Sequence, residues 1–268
     1  MAELSPANPL LFFGCGNMGG AMLDGWLRAG INPASFVVID PGGQSYPDGV
    51  RHFAAANEFA GKVSTAVVAV KPQAFVGLAP QLEPLLNADA LVISVMAGVR
   101  SEAIKDVFSG RNVIRLMPNL AAAIGKSPLG LFGPARDAQL RSALETLLAP
   151  LGTPVWIDAE AQMEVVTALA GSGPAFVYRF IDALAKAGEA LGLDRDKAAR
   201  LAMAMIDGAV DLAVAADVSP AELAQRVTSP GGTTAAGLGV LDRNAALDEL
   251  INATLMAARD RGIELSGG

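Results

Sequence analysis

Between the apolar run Leu10–Phe13 and a helical pattern opening at Asn17, the chain reads Gly14-Cys15-Gly16-Asn17-Met18-Gly19. G-x-G-x-x-G spacing alone is a weak signal in a chain with 29 glycines. The context sharpens it, because here the glycines close a strand pattern and open a helix pattern, as the turn of a dinucleotide-binding βα unit requires. In that reading Gly14 permits the tight turn, Gly16 lets a pyrophosphate approach the backbone, and Gly19 lets the helix pack closely on the strand. The helix N-terminus then offers oriented N–H groups to the phosphates. The alternative is a glycine-rich turn without a ligand. Cys15 reads as a small residue tolerated between glycines, with a redox role as its alternative.

The rest of the N-terminal half follows the same alternation. Apolar strand patterns fall at Leu10–Gly14, Phe36–Asp40, Thr65–Val70, Leu91–Ser94, Val113–Met117 and Pro154–Ile157, and helical ones at Asn17–Ala29, Phe75–Leu86, Ser101–Phe108 and Ala138–Ala149. Continuous apolar runs, rather than alternating ones, mark parallel strands covered on both faces. One link departs from the pattern: Pro41–Gly49 is too rich in Pro and Gly for a crossover helix. Beyond about residue 160 only helical patterns remain, at Glu160–Ala170, Pro174–Leu191, Asp194–Ala216, Pro220–Val227, Thr234–Asp242 and Ala246–Leu265. The expected fold is therefore α/β: a Rossmann-type doubly wound parallel sheet over residues 1–159, followed by an all-α domain over 160–268. Leu201–Val214 is apolar nearly all round, broken mainly by Asp207 and Asp211. So small a helical domain has few places to bury such a helix, which points to an oligomer interface.

Charge and composition remove several function classes. With 20 Lys+Arg against 27 Asp+Glu the net charge is -7, which argues against a nucleic-acid partner or a basic membrane surface. One cysteine excludes an internal disulfide and a cysteine metal cluster; one histidine, His52, argues against His-rich metal sites and triads. No metal is expected. No apolar run of about 18 residues suggests a membrane span, and Met1–Pro9 lacks the pattern of a signal peptide. A cytoplasmic, soluble protein is the expectation.

Several residues fall where a dinucleotide would be held. Asp40 ends the second strand pattern, the position of a carboxylate that bonds ribose hydroxyls; a turn-starting Asp before Pro41 is the alternative. No Lys or Arg follows until Arg51, so a clamp for a 2′-phosphate is lacking and NADH is favoured over NADPH. Lys71-Pro72 ends the third strand pattern at the ligand edge of the sheet, where Lys71 either contacts cofactor or snorkels. Asn57 is a polar candidate on the same rim, or a solvated loop residue. Near the C-terminus, Gly231-Gly232 frees backbone N–H groups to face an anion, with the Thr233 and Thr234 hydroxyls following. The competing reading there is an ordinary turn with Thr233 or Thr234 capping the helix.

Beyond the glycine loop, further segments resemble the pyrroline-5-carboxylate reductase family. They are Ala69-Val70-Lys71-Pro72-Gln73, Ser94-Val95-Met96-Ala97-Gly98-Val99, Ile114-Arg115-Leu116-Met117-Pro118-Asn119, Leu169-Ala170-Gly171-Ser172-Gly173-Pro174-Ala175 and Val227-Thr228-Ser229-Pro230-Gly231-Gly232-Thr233-Thr234. The resemblance runs in order along essentially the whole chain, and the last two segments are its most specific part. It implies hydride transfer from NADPH or NADH to the C=N bond of 1-pyrroline-5-carboxylate, giving L-proline. It implies cofactor contacts at Phe13, Gly14, Cys15, Gly16, Asn17, Met18, Asp40, Asn57, Ala69, Val70, Lys71, Pro72, Val95, Met96 and Ala97. It implies a substrate carboxylate on Gly231, Gly232, Thr233 and Thr234, with Thr234 facing the ring nitrogen as the catalytic residue. It also implies a homo-oligomer, at least an interlocked dimer. The chain departs from the family at the missing crossover helix, at Leu120-Ala121 after Asn119, at Lys126-Ser127-Pro128 and at Arg226. Two other readings stand beside it: a β-hydroxyacid-type dehydrogenase, for which Arg179 and Lys186 are the available cations after Gly173, and a dinucleotide-binding sensor without turnover.

Overall fold

The computed structural model describes residues 4–42, 45–134 and 137–266. Its sheet has eight strands in the order β3-β2-β1-β4-β5-β6-β7-β8. They are β1 (Leu10–Phe13), β2 (Phe36–Ile39), β3 (Arg51–Phe53), β4 (Val63–Val68), β5 (Leu86–Ser94), β6 (Asn112–Met117), β7 (Ser127–Phe132) and β8 (Gly152–Trp156). β1 to β6 are mutually parallel, β7 pairs antiparallel with β6, and β8 runs parallel to β7. Helices α1 (Asn17–Arg28), α2 (Pro72–Leu82), α3 (Ser101–Val107) and α4 (Ala138–Leu148) accompany the sheet.

The apolar runs are explained by burial on both sides. Leu10, Phe12, Phe36 and Val38 pack with Met22, Leu23 and Trp26 of α1 and Leu144 and Leu148 of α4. Leu11, Phe13, Val37 and Ile39, one residue out of phase, pack with Phe75 and Leu82 of α2 and Ile104 of α3. Fully burying each such side chain stabilises the fold by about 1.5–3 kcal/mol. The Trp26 ring stacks on Phe36 at 5.9 Å and its Nε1–H donates to Leu147 O at 2.7 Å, so the one polar atom of a fully buried indole is satisfied.

The structure adds two strands to the sequence reading. β3 has only three residues and follows β2 without a helix; its register, Val37↔Arg51 to Ile39↔Phe53, is set by a link that describes no helix, though Gly43 and Gln44 lie outside the described residues. β7 carries Pro128 and Gly130, which disguise it. Gly130 is needed because a Cβ there would collide with Val166. α2 begins at Pro72 rather than Phe75, since a proline is tolerated in the first turn of a helix. Residues 160–171, expected as one helix, form a 3₁₀ turn (Glu160–Gln162), the short α5 (Met163–Val166) and a π-helical turn (Thr167–Gly171).

By its internal contacts the chain divides into residues 1–171 with 258–268, and residues 172–257. The sequence boundary at 159/160 marks where strands give way to helices; the segment after it still packs on the sheet. Within the second unit α6 (Gly173–Ala190) and α7 (Arg195–Ala215) pack together, followed by α8 (Pro220–Arg226), α9 (Thr233–Leu241) and the start of α10 (Ala246–Ser266). Among the described residues no helix is long and apolar enough to cross a membrane, and no cluster of three or more His, Cys, Asp or Glu is arranged to hold a metal ion.

Candidate active site

β1 lies between β2 and β4, so the strand order reverses beside it, and a crevice opens at the carboxyl ends of these strands. It encloses about 430 Å³ and is lined by Phe13, Gly14, Gly16, Asp40, Ala69, Val70 and Lys71, among others. The glycine loop forms its floor. Gly14 has φ +82°, and a Cβ there would lie 2.9 Å from Val70 Cγ1 and 3.0 Å from Ala69 O. A Cβ on Gly19 would stand 3.1 Å from Gly14 O, whereas one on Gly16 would meet nothing within 4 Å. Gly14 and Gly19 are thus fixed by the fold, while Gly16 is exposed and leaves the approach to α1 open. No side chain caps α1 at Gly16, so its first N–H groups face outward with Asn17 and Met18 in the opening turn. That arrangement suits a pyrophosphate.

Asp40 is tied to this loop. Its Oδ2 accepts the Cys15 N–H at 2.5 Å and its Oδ1 accepts the Gly42 N–H at 2.6 Å. A carboxylate has roughly four acceptor sites, so lone pairs remain for a ribose diol. Behind it, His52 Nε2 lies 2.8 Å from the Asp40 carbonyl oxygen, and the His52 ring sits 4.7 Å from that of Tyr46. A carbonyl only accepts, so Nε2 carries the proton in this bond. Burial pushes the Cys15 thiol up to about 12; the Asp40 carboxylate adds to the rise and the Tyr46 hydroxyl beside it opposes it. Cys15 is fully buried and is not part of the crevice lining; its backbone N–H serves to hold the Asp40 carboxylate.

The remaining expected cofactor residues distribute unevenly. Lys71 is the exposed N-cap of α2 on the crevice wall. Asn57 lies on an adjoining groove with Phe59, Gln81 and Leu85 rather than on the crevice lining. Pro72 and Ala97 share a third groove with Arg100. Val95 N–H donates to Val68 O at 3.1 Å, and Met96 N–H to Ser94 Oγ at 3.3 Å, which fixes the turn after β5. Sequence reasoning missed Tyr46, in the link after β2, and His52, whose three-residue strand gives no periodic signal. It also missed Ala74, Leu78 and Gln81 on the crevice wall, whose i, i+4, i+7 spacing marks one face of α2.

Near the carboxyl end of β6, Asn119 is buried and bonded through both ends of its amide. Its Nδ2 donates to Ala170 O at 3.0 Å, its Oδ1 accepts Ala121 N–H at 2.9 Å, and its N–H donates to Ser127 Oγ at 2.9 Å. Ala170 belongs to the π-helical turn, a feature frequent at functional sites.

In the second unit, Gly231 has φ +70° and Gly232 N–H donates to Ser229 O at 3.0 Å. Gly232 takes the N-cap of α9 with no side-chain hydrogen bond, and Thr233 and Thr234 are the exposed first residues of the helix. The capping alternative is thereby overturned: neither threonine caps. The N–H groups of Thr233, Thr234 and Ala235 precede the first helical bond, from Ala236 N–H to Gly232 O at 3.1 Å, and so lie at the open end of α9.

A doubly wound sheet with an open glycine loop and a carboxylate at the end of β2, followed by an all-helical unit, is an architecture shared by nicotinamide-dinucleotide oxidoreductases. Comparisons with known proteins carry this further. Residues 160–265 match the family described as pyrroline-5-carboxylate reductase dimerisation, and residues 9–98 match NADP oxidoreductase coenzyme F420-dependent. The chain is 35% identical over 265 residues to the pyrroline-5-carboxylate reductase of Pseudomonas aeruginosa, covering 96% of each chain. It is 35% identical to the Pisum sativum enzyme of that name, covering 98% of each. Among solved structures, that of a Coxiella burnetii pyrroline-5-carboxylate reductase superposes with TM-score 0.87 at 31% identity, covering 97% of this chain and 98% of the other. The Plasmodium falciparum pyrroline carboxylate reductase with NADP bound gives TM-score 0.82 at 26% identity, covering 97% and 98%. The chain belongs to the pyrroline-5-carboxylate reductase family. Its activity is the NAD(P)H-dependent reduction of the C=N bond of 1-pyrroline-5-carboxylate to L-proline, a step of proline biosynthesis.

Proposed function

We propose that the turn from Gly231 to Thr234 holds the carboxylate of 1-pyrroline-5-carboxylate, and that the Thr234 hydroxyl hydrogen-bonds the ring nitrogen during reduction. The supporting observation is the start of α9, which no side chain caps and whose first residues, Thr233 and Thr234, are exposed. A protonated imine already carries the electrophilic charge, so the chain has to position the ring and stabilise charge rather than supply a strong base. The N–H groups of Thr233 to Ala235 bind the anion, Gly231 and Gly232 keep side chains out of its way, and Thr234 holds the nitrogen. The cofactor, bound at Phe13 to Met18, Asp40, Asn57, Ala69 to Pro72 and Val95 to Ala97, supplies the hydride. NADH is favoured over NADPH: Asp40 presents a carboxylate at the end of β2, and Arg51 turns away from it, its guanidinium aimed at the carbonyls of Ala34 and Pro6 at 3.4 and 3.5 Å.

Residues 160–268 form the substrate-binding and dimerisation domain of an interlocked dimer acting in the cytoplasm, with no nucleic-acid or membrane partner. Single-chain exposure of apolar side chains supports the dimer: Met205 is 50%, Leu212 71% and Val214 82% exposed, far more apolar surface than one helix leaves to water. The hydroxyacid-dehydrogenase alternative is disfavoured by Lys186, whose Nζ donates to Asp182 at 2.8 Å in an exposed pair that also engages Arg179. The deciding assay follows NADH or NADPH oxidation with fresh pyrroline-5-carboxylate. Oxidation no faster than the no-enzyme background would refute the reading.

A further inference from the structure

Arg115 lies outside the crevice, yet it is the largest charged side chain in the core, 2% exposed on β6. Its Nη1 donates to Glu160 Oε1 at 3.0 Å, while Nη2 stands 3.9 Å from Glu164 Oε1 and makes no hydrogen bond. Glu160 does more than neutralise it. Its Oε1 also accepts the Ser101 N–H at 2.6 Å and its Oε2 accepts the Ser101 hydroxyl at 2.8 Å. Burial pushes the Glu160 carboxyl up, but the Ser101 bonds and Arg115 outweigh it and leave the group below its ordinary value of 4.5.

Ser101 is the first residue of α3, whose N-cap, Arg100, has no side-chain cap of its own. An N-cap normally comes from the flanking residue; here a carboxylate 59 positions along the chain supplies it. The turn between β5 and α3 is thus pinned twice. At one end Val95 N–H binds Val68 O, and at the other Ser101 binds Glu160.

We propose that Glu160, seated on Arg115, is a positioning residue for the Val95–Arg100 turn, setting its height over the sheet and hence the fit of the dinucleotide against Val95–Ala97. This rests on the reading that those residues face the cofactor. Arg115 keeps Glu164 nearby as a second counter-ion, so neutralising Glu160 releases the turn without leaving the buried cation unaccompanied.

The test uses the full chain as Glu160→Gln, Ser101→Ala and the double variant, with NADH dissociation constants from fluorescence titration beside steady-state constants. Glu160→Gln is expected to raise the dissociation constant and KM for NADH about five- to twentyfold, leaving KM for the imine within about twofold; Ser101→Ala gives a smaller change of the same kind. The double variant resembles Glu160→Gln alone, because both side chains act through one contact. NADH affinity within twofold of wild type in folded Glu160→Gln, or additive effects in the double, would overturn the proposal. If Glu160→Gln does not fold, Ser101→Ala decides by the same criterion, since it keeps the Arg115 pair and the backbone bond. A wild type that binds NADH but leaves the imine unreduced counts against the functional reading alone, and the NADH dissociation constants still decide the role of Glu160.

Discussion

Replacing Asp40 by Ser should erode a preference for NADH over NADPH. The carboxylate sits at the end of β2 with both oxygens held by backbone N–H groups, at 2.5 Å from Cys15 and 2.6 Å from Gly42, so it cannot swing aside without losing two charge-assisted bonds. Two unit charges about 4 Å apart in water interact by about 1 kcal/mol, and the near-double charge of a 2′-phosphate raises the repulsion to about 2 kcal/mol. Partial burial of Asp40 takes it toward about 3 kcal/mol, so wild-type kcat/KM should favour NADH by roughly 30- to 150-fold. Ser removes the charge and one acceptor, so NADH loses a ribose contact while NADPH loses a repulsion. The assay is kcat/KM for both cofactors in wild type, Asp40→Ser and Asp40→Asn, the last keeping the side-chain shape without its charge. The ratio should move by at least tenfold in both variants. A wild type preferring NADPH, or a ratio unmoved in both, would refute the reasoning and leave Asp40 as a staple of the glycine loop.

Thr234→Val should lower kcat/KM by about ten- to a hundredfold, the loss of one aligned hydrogen bond in the transition state, with a smaller effect for Thr233→Val; an unchanged constant for Thr234→Val would assign the nitrogen contact to water. If α7 forms the subunit interface, Met205→Asp places a charge on a face that is half-exposed in one chain and covered by the partner, so sedimentation should show aggregate or dissociated, inactive protein; an active oligomer of wild-type size would remove α7 from the interface. Cys15, fully buried with its thiol pushed up to about 12, should resist a disulfide reagent at pH 8 in the native protein and react fully in denaturant; rapid native reaction would show that the loop opens.

How much of the molecule was legible in the sequence depends on the interaction that forms each element. Local patterns were readable: the glycine loop, the runs around Phe12 and Val38, and the helix opening at Pro220, where the structure adds a Ser219 hydroxyl that accepts the Glu222 N–H at 3.2 Å. β7 was not, because Gly130 answers to Val166, a residue distant in sequence whose closeness no local pattern records. β3 owes its existence to pairing with β2 rather than to its own three residues. In the candidate site, the glycines and Asp40 are marked by their places at the ends of strand patterns, whereas Asn57, readable only as a polar candidate or a solvated loop residue, lines a different groove. Glu160 gave no sign of capping α3, since a cap supplied across the fold leaves no spacing to detect.

The π-helical turn at Thr167–Gly171 carries a constraint of length. A turn one residue wider than the α-helical one behaves as an insertion, and each residue added to or removed from a helix rotates the downstream chain by about 100°. Removing one residue between Met163 and Ser172 would therefore leave a good helix while withdrawing the Ala170 carbonyl from Asn119 and turning Gly173-Pro174 to another side. A substitution in this stretch keeps the downstream chain in phase, but a gap does not. Homologues aligned over it should agree in residue count, and a designer shortening the chain should leave this stretch at its present length.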